Sequence, residues 1–217
     1  MASLEYNFRP PKKQKTPPPP LLLLMHGYGS NEHDLFSFAE YLHEDFLVVS
    51  VRAPYSLQPM GHAWYAIHFD QEQGKWSDDN QAKASIKHIH RFLDELNDEH
   101  PYDKTQIHLL GFSQGGILSY ALGLSYPEKF TSIAVLSGYL NENITKLQPI
   151  STPPHVFVAH GTLDEVVPFD WGKRSVGLLE ENGIKPKVSY EPVGHTLGQK
   201  GFQDLLKWHE QLRAYQG

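Results

Sequence analysis

Hydrophobic and polar positions follow two alternating patterns along the chain. Short apolar or β-branched runs predict strands at Leu21 to Met25, Phe46 to Val51, Ile107 to Leu110, Thr131 to Ser137, Val156 to His160 and Lys187 to Tyr190. Between them lie longer stretches with helical spacing: Asp34 to His43, Asp79 to Leu96, Gln114 to Ser125, Trp171 to Asn182, and a last one near Gly201 to Ala214. In the second of these, Ala82, Ile86, Ile89, Leu93 and Leu96 recur at steps of three and four, which lines them along one face of a helix. Alternation of strand and helix predicts an α/β fold, with a mostly parallel central sheet covered by helices on both faces. Tyr6 to Phe8 predicts an additional edge strand.

Residues 1–20 read as an N-terminal lead-in. From residue 9 it is rich in Pro and Lys and ends in Pro17 to Pro20, a composition that favours a stiff extended chain over a packed one. Residues 21–217 are expected to form a single domain, large enough to bury its own core.

Composition narrows the function classes. With 40% hydrophobic residues and a formal charge of −6, the chain reads as a soluble globular protein, and its acidic balance argues against a nucleic-acid partner. Its densest basic run, Lys12, Lys13 and Lys15, sits among prolines and reads as a solvated tail. There is no cysteine, so disulfides, thiolate nucleophiles and Cys-based metal centres are excluded. The start Met1 to Glu5 lacks the features of a secretory signal, and the apolar run Leu21 to Met25 is too short to span a bilayer. The expectation is a cytoplasmic protein without stable membrane insertion.

Candidate chemistry begins after the strand at Ile107 to Leu110. In Gly111-Phe112-Ser113-Gln114-Gly115, glycines stand two residues either side of a serine, between a strand and an apolar helix. A serine nucleophile projects from a sharp strand-to-helix turn, where side chains at the flanking positions would collide. A serine also needs a base, and the base needs an orienting acid. Asp164 follows a predicted strand in His160-Gly161-Thr162-Leu163-Asp164, and His195 follows the next in Val193-Gly194-His195. Both fall at the carboxyl ends of strands, where open parallel sheets build their sites. Ser113, Asp164 and His195 are thus the candidate catalytic triad, in the chain order this fold uses.

Other residues compete for these roles. Glu165, Asp170 and Asp34 are loop or helix-start acids, of which Asp170 reads as the cap of the helix at Trp171. His160 reads as a hydrogen-bonding neighbour of the site or a buried histidine. His88 and His90 are two apart on a helix, face different directions and do not make a metal pair, so neither metal nor cofactor is expected. The oxyanion hole requires two donors: the backbone N–H of Gln114, and one from His26-Gly27-Tyr28-Gly29, where Tyr28 is the candidate. Glu32 stands where a dinucleotide loop needs its third glycine, so that alternative fails.

From about Leu22 to its end, the chain resembles the phospholipase/carboxylesterase family of small α/β hydrolases, which includes acyl-protein thioesterases and bacterial carboxylesterases. The resemblance rests on His26-Gly27-Tyr28-Gly29, Arg52-Ala53-Pro54, Trp64-Tyr65, the elbow through Gly116, Leu136-Ser137-Gly138, His160-Gly161 with Asp164 and Val167-Pro168, and Gly194-His195. It implies an α/β-hydrolase fold and a serine carboxylesterase acting on small or medium-chain acyl esters, with thioesters and lysophospholipids in the same chemical range. It also implies that Ser113, Asp164 and His195 fill the triad, that Tyr28 and Gln114 form the oxyanion hole, and that Trp64 and Tyr65 line the acyl pocket. Two departures bear on substrate: Ala66 stands where the family often has aspartate, and Ser30-Asn31-Glu32-His33 replaces the thioesterases' loop. No insertion between Ser137 and His155 is long enough for a large lid. A non-catalytic binding protein of the same fold and a serine peptidase are the competing readings. The first usually loses a triad position, and the second carries an additional gating domain.

Overall fold

The structure, a computed structural model, describes residues 2–13, 18–70, 74–147 and 152–214. Its elements run β1 (Tyr6–Arg9), β2 (Leu21–Met25), a 3-10 turn (Leu35–Phe38), β3 (Leu47–Val51), β4 (Tyr55–Ser56), β5 (His62–Ala63), β6 (Ile67–Asp70), β7 (Gly74–Ser77) and α1 (Asp79–Glu99). There follow β8 (Ile107–Phe112), α2 (Gln114–Ser125), β9 (Phe130–Leu136), β10 (His155–Gly161), α3 (Phe169–Glu181), β11 (Lys187–Glu191) and α4 (Gln199–Ala214).

Seven strands make one sheet in the order β1-β3-β2-β8-β9-β10-β11. All neighbours pair parallel except β1, which runs antiparallel to β3 with Phe8 opposite Val49. Part of the expected lead-in thus belongs to the sheet. Every residue of β2 is buried, as a central parallel strand covered on both faces requires. Its alternate side chains feed two cores. Leu21, Leu23 and Met25 pack with α1 and α2, through residues such as Ile89, Leu93 and Leu118. Leu22 and Leu24 pack on the other face with Leu205, Trp208 and Leu212 of α4.

The stretch expected as a helix from Asp34 to His43 forms only the 3-10 turn Leu35–Phe38. Arg9 supplies the physical reason. Its buried guanidinium reaches the carbonyls of Ala39 (2.9 Å), His43 (2.9 Å), Leu42 (3.4 Å) and Phe46 (3.5 Å). Carbonyls turned toward one side chain are withdrawn from an axial helical ladder, and the chain folds around the cation instead. Among the described residues, no helix is long and apolar enough to cross a membrane.

Candidate active site

Strand β8 ends at Phe112 and α2 begins at Gln114, leaving Ser113 alone at the turn. Its φ of 52° and ψ of −117° are a strained backbone for a residue with a side chain. The neighbouring backbones come so close that only glycine fits. A Cβ on Gly111 would lie 2.2 Å from the Gly115 carbonyl oxygen, and one on Gly115 would lie 2.0 Å from that of Met25. The strain is held by the sheet and helix: the Ser113 N–H donates to Leu136 O at 2.9 Å, and Ser113 O accepts the Ile117 N–H at 3.0 Å.

Two further loops at the same edge bring acid and base to this serine. The Asp164 carboxylate is fully buried beyond the end of β10. Its Oδ1 accepts the N–H groups of Val166 and Val167, each at 2.9 Å, and its Oδ2 lies 2.7 Å from His195 Nδ1. A carboxylate only accepts, so Nδ1 carries the hydrogen, and the Nε2 lone pair faces Ser113 Oγ at 3.0 Å. The Phe112 ring packs against the imidazole, with centroids 4.9 Å apart.

His160 lies beneath the same carboxylate. Its Nε2–H donates to Val167 O at 2.9 Å and stands 3.5 Å from Asp164 Oδ2, and burial pushes its pKa down. Kept neutral and bonded elsewhere, it leaves Asp164 to His195. Asp170 is displaced from its expected role, because α3 begins at Phe169 after Pro168 and Asp170 sits inside the first turn rather than at the cap. There its charge suits the helix dipole.

The two candidate oxyanion residues, Tyr28 and Gln114, line the same cavity as Ser113 and His195. The Gln114 N–H is the first of α2 and has no acceptor within that helix. The loop after β2 is folded by Gly29 N–H donating to His62 O (2.9 Å) and Ser30 N–H to Gly27 O (3.3 Å), bonds that do not use the Tyr28 N–H. His26 anchors this loop from below, with Nε2 accepting the Ala53 N–H at 3.0 Å and Nδ1–H donating to Gly27 O at 2.7 Å. Glu32, chemically silent in the sequence, takes the Arg52 Nε and Nη2 groups at 2.6 Å each. The hydrogen bond from Arg52 pulls the Glu32 pKa down to about 2.

Trp64 and Tyr65 were expected together on the pocket wall, and the structure separates them. Tyr65 lines the cavity, whereas Trp64 is fully buried outside the lining, its indole N–H donating to His26 O at 2.8 Å. The reason is the way the segment is pinned. Gln114 Oε1 accepts the Trp64 N–H (3.0 Å), Gln114 Nε2 donates to Tyr65 O (2.8 Å), and Ser85 Oγ donates to Trp64 O. Gln81 Oε1 accepts the Ala66 N–H at 2.8 Å. Side chains of α1 and α2 thus fix the wall and hold Trp64 under the Tyr28 loop.

A cavity of about 980 Å³ opens above Ser113 and His195, walled by Phe112, Ile117, Leu140, Val167 and Trp171 among others. Its size admits a ligand well beyond the smallest esters.

Residues 12–212 match the Phospholipase/Carboxylesterase family. The chain belongs to that family. It is 31% identical to an acyl-protein thioesterase 1 of Yarrowia lipolytica, over 69% of this chain and 68% of that protein. To an acyl-protein thioesterase 1 of Emericella nidulans it is 32% identical over 61% of this chain, a match spanning 60% of that protein's length. The solved carboxylesterase of Bacillus cereus shares the fold, with a TM-score of 0.83, 24% identity and coverage of 97% of this chain and 95% of that one. The solved esterase PE8 superposes with a TM-score of 0.78 at 25% identity, covering 96% and 99%.

Seen as a member of the Phospholipase/Carboxylesterase family, the chain carries two supports that its sequence did not announce, the Glu32–Arg52 pair beside the Tyr28 loop and the Gln114 side chain under Trp64 and Tyr65, while His160 is the buried, hydrogen-bonded neighbour of Asp164 that its place in the sequence suggested. Both join residues at least twenty positions apart along the chain, which is why no local pattern signals them.

Proposed function

We propose that this protein is a serine hydrolase that cleaves small or medium-chain carboxylic esters through an acyl-serine intermediate. The continuous hydrogen-bonded line from Asp164 Oδ2 through His195 (2.7 Å) to Ser113 Oγ (3.0 Å) carries the reading. Ser113 Oγ attacks the ester carbonyl carbon as its proton passes to His195 Nε2. The carbonyl oxygen becomes an oxyanion, met by the N–H groups of Tyr28 and Gln114. On collapse, the His195 proton goes to the departing alcohol and the acyl group stays on Ser113. Water then gives a proton to His195, attacks the acyl carbon and releases the acid, with the proton returned to Ser113. Asp164 holds the imidazole in the required tautomer and stabilises its charged form. Tyr65 belongs to the acyl-binding wall in this scheme, and Trp64 supports it from below. The same attack applies to a thioester.

Hydrolysis of p-nitrophenyl butyrate by wild type and Ser113→Ala tests the proposal. Turnover should fall by about 10⁵ in the variant, as when a triad acts as one unit. A variant within tenfold of wild type would remove Ser113 from the mechanism.

A further inference from the structure

The cavity above Ser113 carries an excess of negative charge. Asp34, Asp79 and Glu142 all line it, while among its described side chains the only one with a permanent positive charge is Arg174, whose Nη2 lies 2.8 Å from Glu142 Oε2. Asp79, half-buried at the start of α1, accepts from Asn141 Nδ2 at 3.0 Å and Asn143 Nδ2 at 2.8 Å. Both donors are neutral and leave its charge in place. Asp34, exposed at the rim, accepts Ser30 Oγ–H at 2.8 Å. Two carboxylates thus face the cavity without a described cationic partner.

Aromatic surface lies among these acids. Tyr139 and Trp171 line the same cavity edge to face, with ring centroids 5.0 Å apart, and Tyr28 joins them on the lining. Tyr65 lines the same cavity, and its hydroxyl is buried with no hydrogen-bond partner. Covered from solvent, that oxygen keeps an unused accepting capacity behind the cavity wall.

From this arrangement we propose that the cavity filters substrates by charge, admitting esters that carry an ammonium group in preference to neutral ones and rejecting those that carry a carboxylate or phosphate. The proposal rests on the hydrolase reading above and adds the substrate class to it. In a partly desolvated cavity, uncompensated carboxylates act with less screening than on an open surface, and they set the sign of the local field. Faces of tyrosine and tryptophan attract ammonium groups and offer nothing comparable to anions. An anionic substrate would meet repulsion and lose its hydration together. Asp79 is the main determinant, and Asp34, being exposed, contributes less.

Three butyrate esters of matched shape test the filter: butyrylcholine, its uncharged carbon isostere 3,3-dimethylbutyl butyrate, and a butyrate ester whose alcohol ends in a carboxylate. At low ionic strength, kcat/KM should favour the cationic ester over its isostere by about tenfold, and the isostere over the anionic ester by a similar factor. Both ratios should shrink as salt is added. Asp79→Asn should cut each ratio by about fivefold and Asp34→Asn by less, and taking ratios removes any general loss of activity. Wild-type ratios near one, or ratios unchanged in a folded Asp79→Asn protein, would overturn the filter. If the neutral ester is cleaved through Ser113 and these ratios still fail, the hydrolase reading stands and the filter falls. Binding to Ser113→Ala separates the two claims from the other side. Choline should raise the melting temperature of that variant and 3,3-dimethylbutanol should not, and equal effects of the two would overturn the filter even without turnover.

Discussion

Two regions of this molecule hold histidines whose ring nitrogens face very different surroundings. At the site edge, both nitrogens of His195 are engaged, one by the Asp164 carboxylate at 2.7 Å and one by Ser113 Oγ at 3.0 Å. In the core, His108 of β8 and His209 of α4 both pack against Phe46, with ring centroids 5.0 and 4.8 Å away. His108 Nδ1 meets the Ser132 hydroxyl at 2.7 Å, while His209 Nε2 is buried with no partner. Burial pushes the His108 pKa down to about 3 and that of His209 to about 4, with His43 and Arg9 adding repulsion at His209. One region can stabilise an imidazolium formed in passing, and the other penalises it. Under the proposed mechanism, proton traffic during turnover and acid sensitivity of the fold therefore fall to different histidines.

The comparison yields a graded set of expectations. The largest is the loss of about 10⁵ in turnover for Ser113→Ala, with little change in melting temperature. Next comes Asp164→Asn, expected to lower kcat by about 10⁴, because the Nδ1 tautomer is no longer enforced. Asp170→Asn and Glu165→Gln should stay close to wild type in the same assay. A large loss in Asp170→Asn with little in Asp164→Asn would show that the acid lies elsewhere.

Substitutions in the core should act on stability instead. Arg9→Met strands the carbonyls of Ala39, Leu42, His43 and Phe46, and should cost about 3 kcal/mol in urea unfolding. Kinetics of the remaining folded protein should change little. A variant as stable as wild type would mean that the Arg9 hub does not hold this segment.

The smallest effect concerns pH. A histidine ordinarily titrates near 6.5, and His209 in the folded protein does so near 4, so the unfolded chain binds the extra proton between these values. Stability from this group is therefore complete above about pH 6.5 and is lost as pH falls toward 4. Carboxylates with lowered pKa, such as Glu32 at about 2, lose their contribution only below their ordinary 4.5. The window from pH 6.5 to 4.5 thus belongs to buried imidazoles, with His26, His90 and His160 acting in the same direction. Unfolding free energies across it should fall less steeply in His209→Phe than in wild type, by about 2 kcal/mol over the window. Parallel curves would show that His209 is not held neutral.

The legible parts of the fold are those fixed by neighbours along the chain. Leu21–Met25 and Gln114–Ser125 stand where apolar runs and helical spacing put them, and the glycines around Ser113 follow from local crowding that any strand-to-helix elbow imposes. The hairpins β4–β5 and β6–β7 were missed, since two- and four-residue strands carry too little pattern. The segment after Asp34 looked helical because its apolar spacing is helical, and only Arg9, distant in sequence, redirects its carbonyls. Trp64 illustrates the same limit in the site. An aromatic pair in an irregular segment reads as pocket wall, and which of the two rings turns inward depends on Gln114 and Ser85 reaching the backbone between them. Sequence spacing conveys which residues share a strand end, but not which long-range hydrogen bond orients each one.

The central claim is that Ser113 is the nucleophile. Its most direct test is reaction with a fluorophosphonate probe followed by mass mapping of the modified peptide. One probe molecule per chain, on Ser113 and absent from Ser113→Ala, is the predicted result. A wild-type protein that turns over esters yet takes no label, or takes it on another residue, would contradict the account.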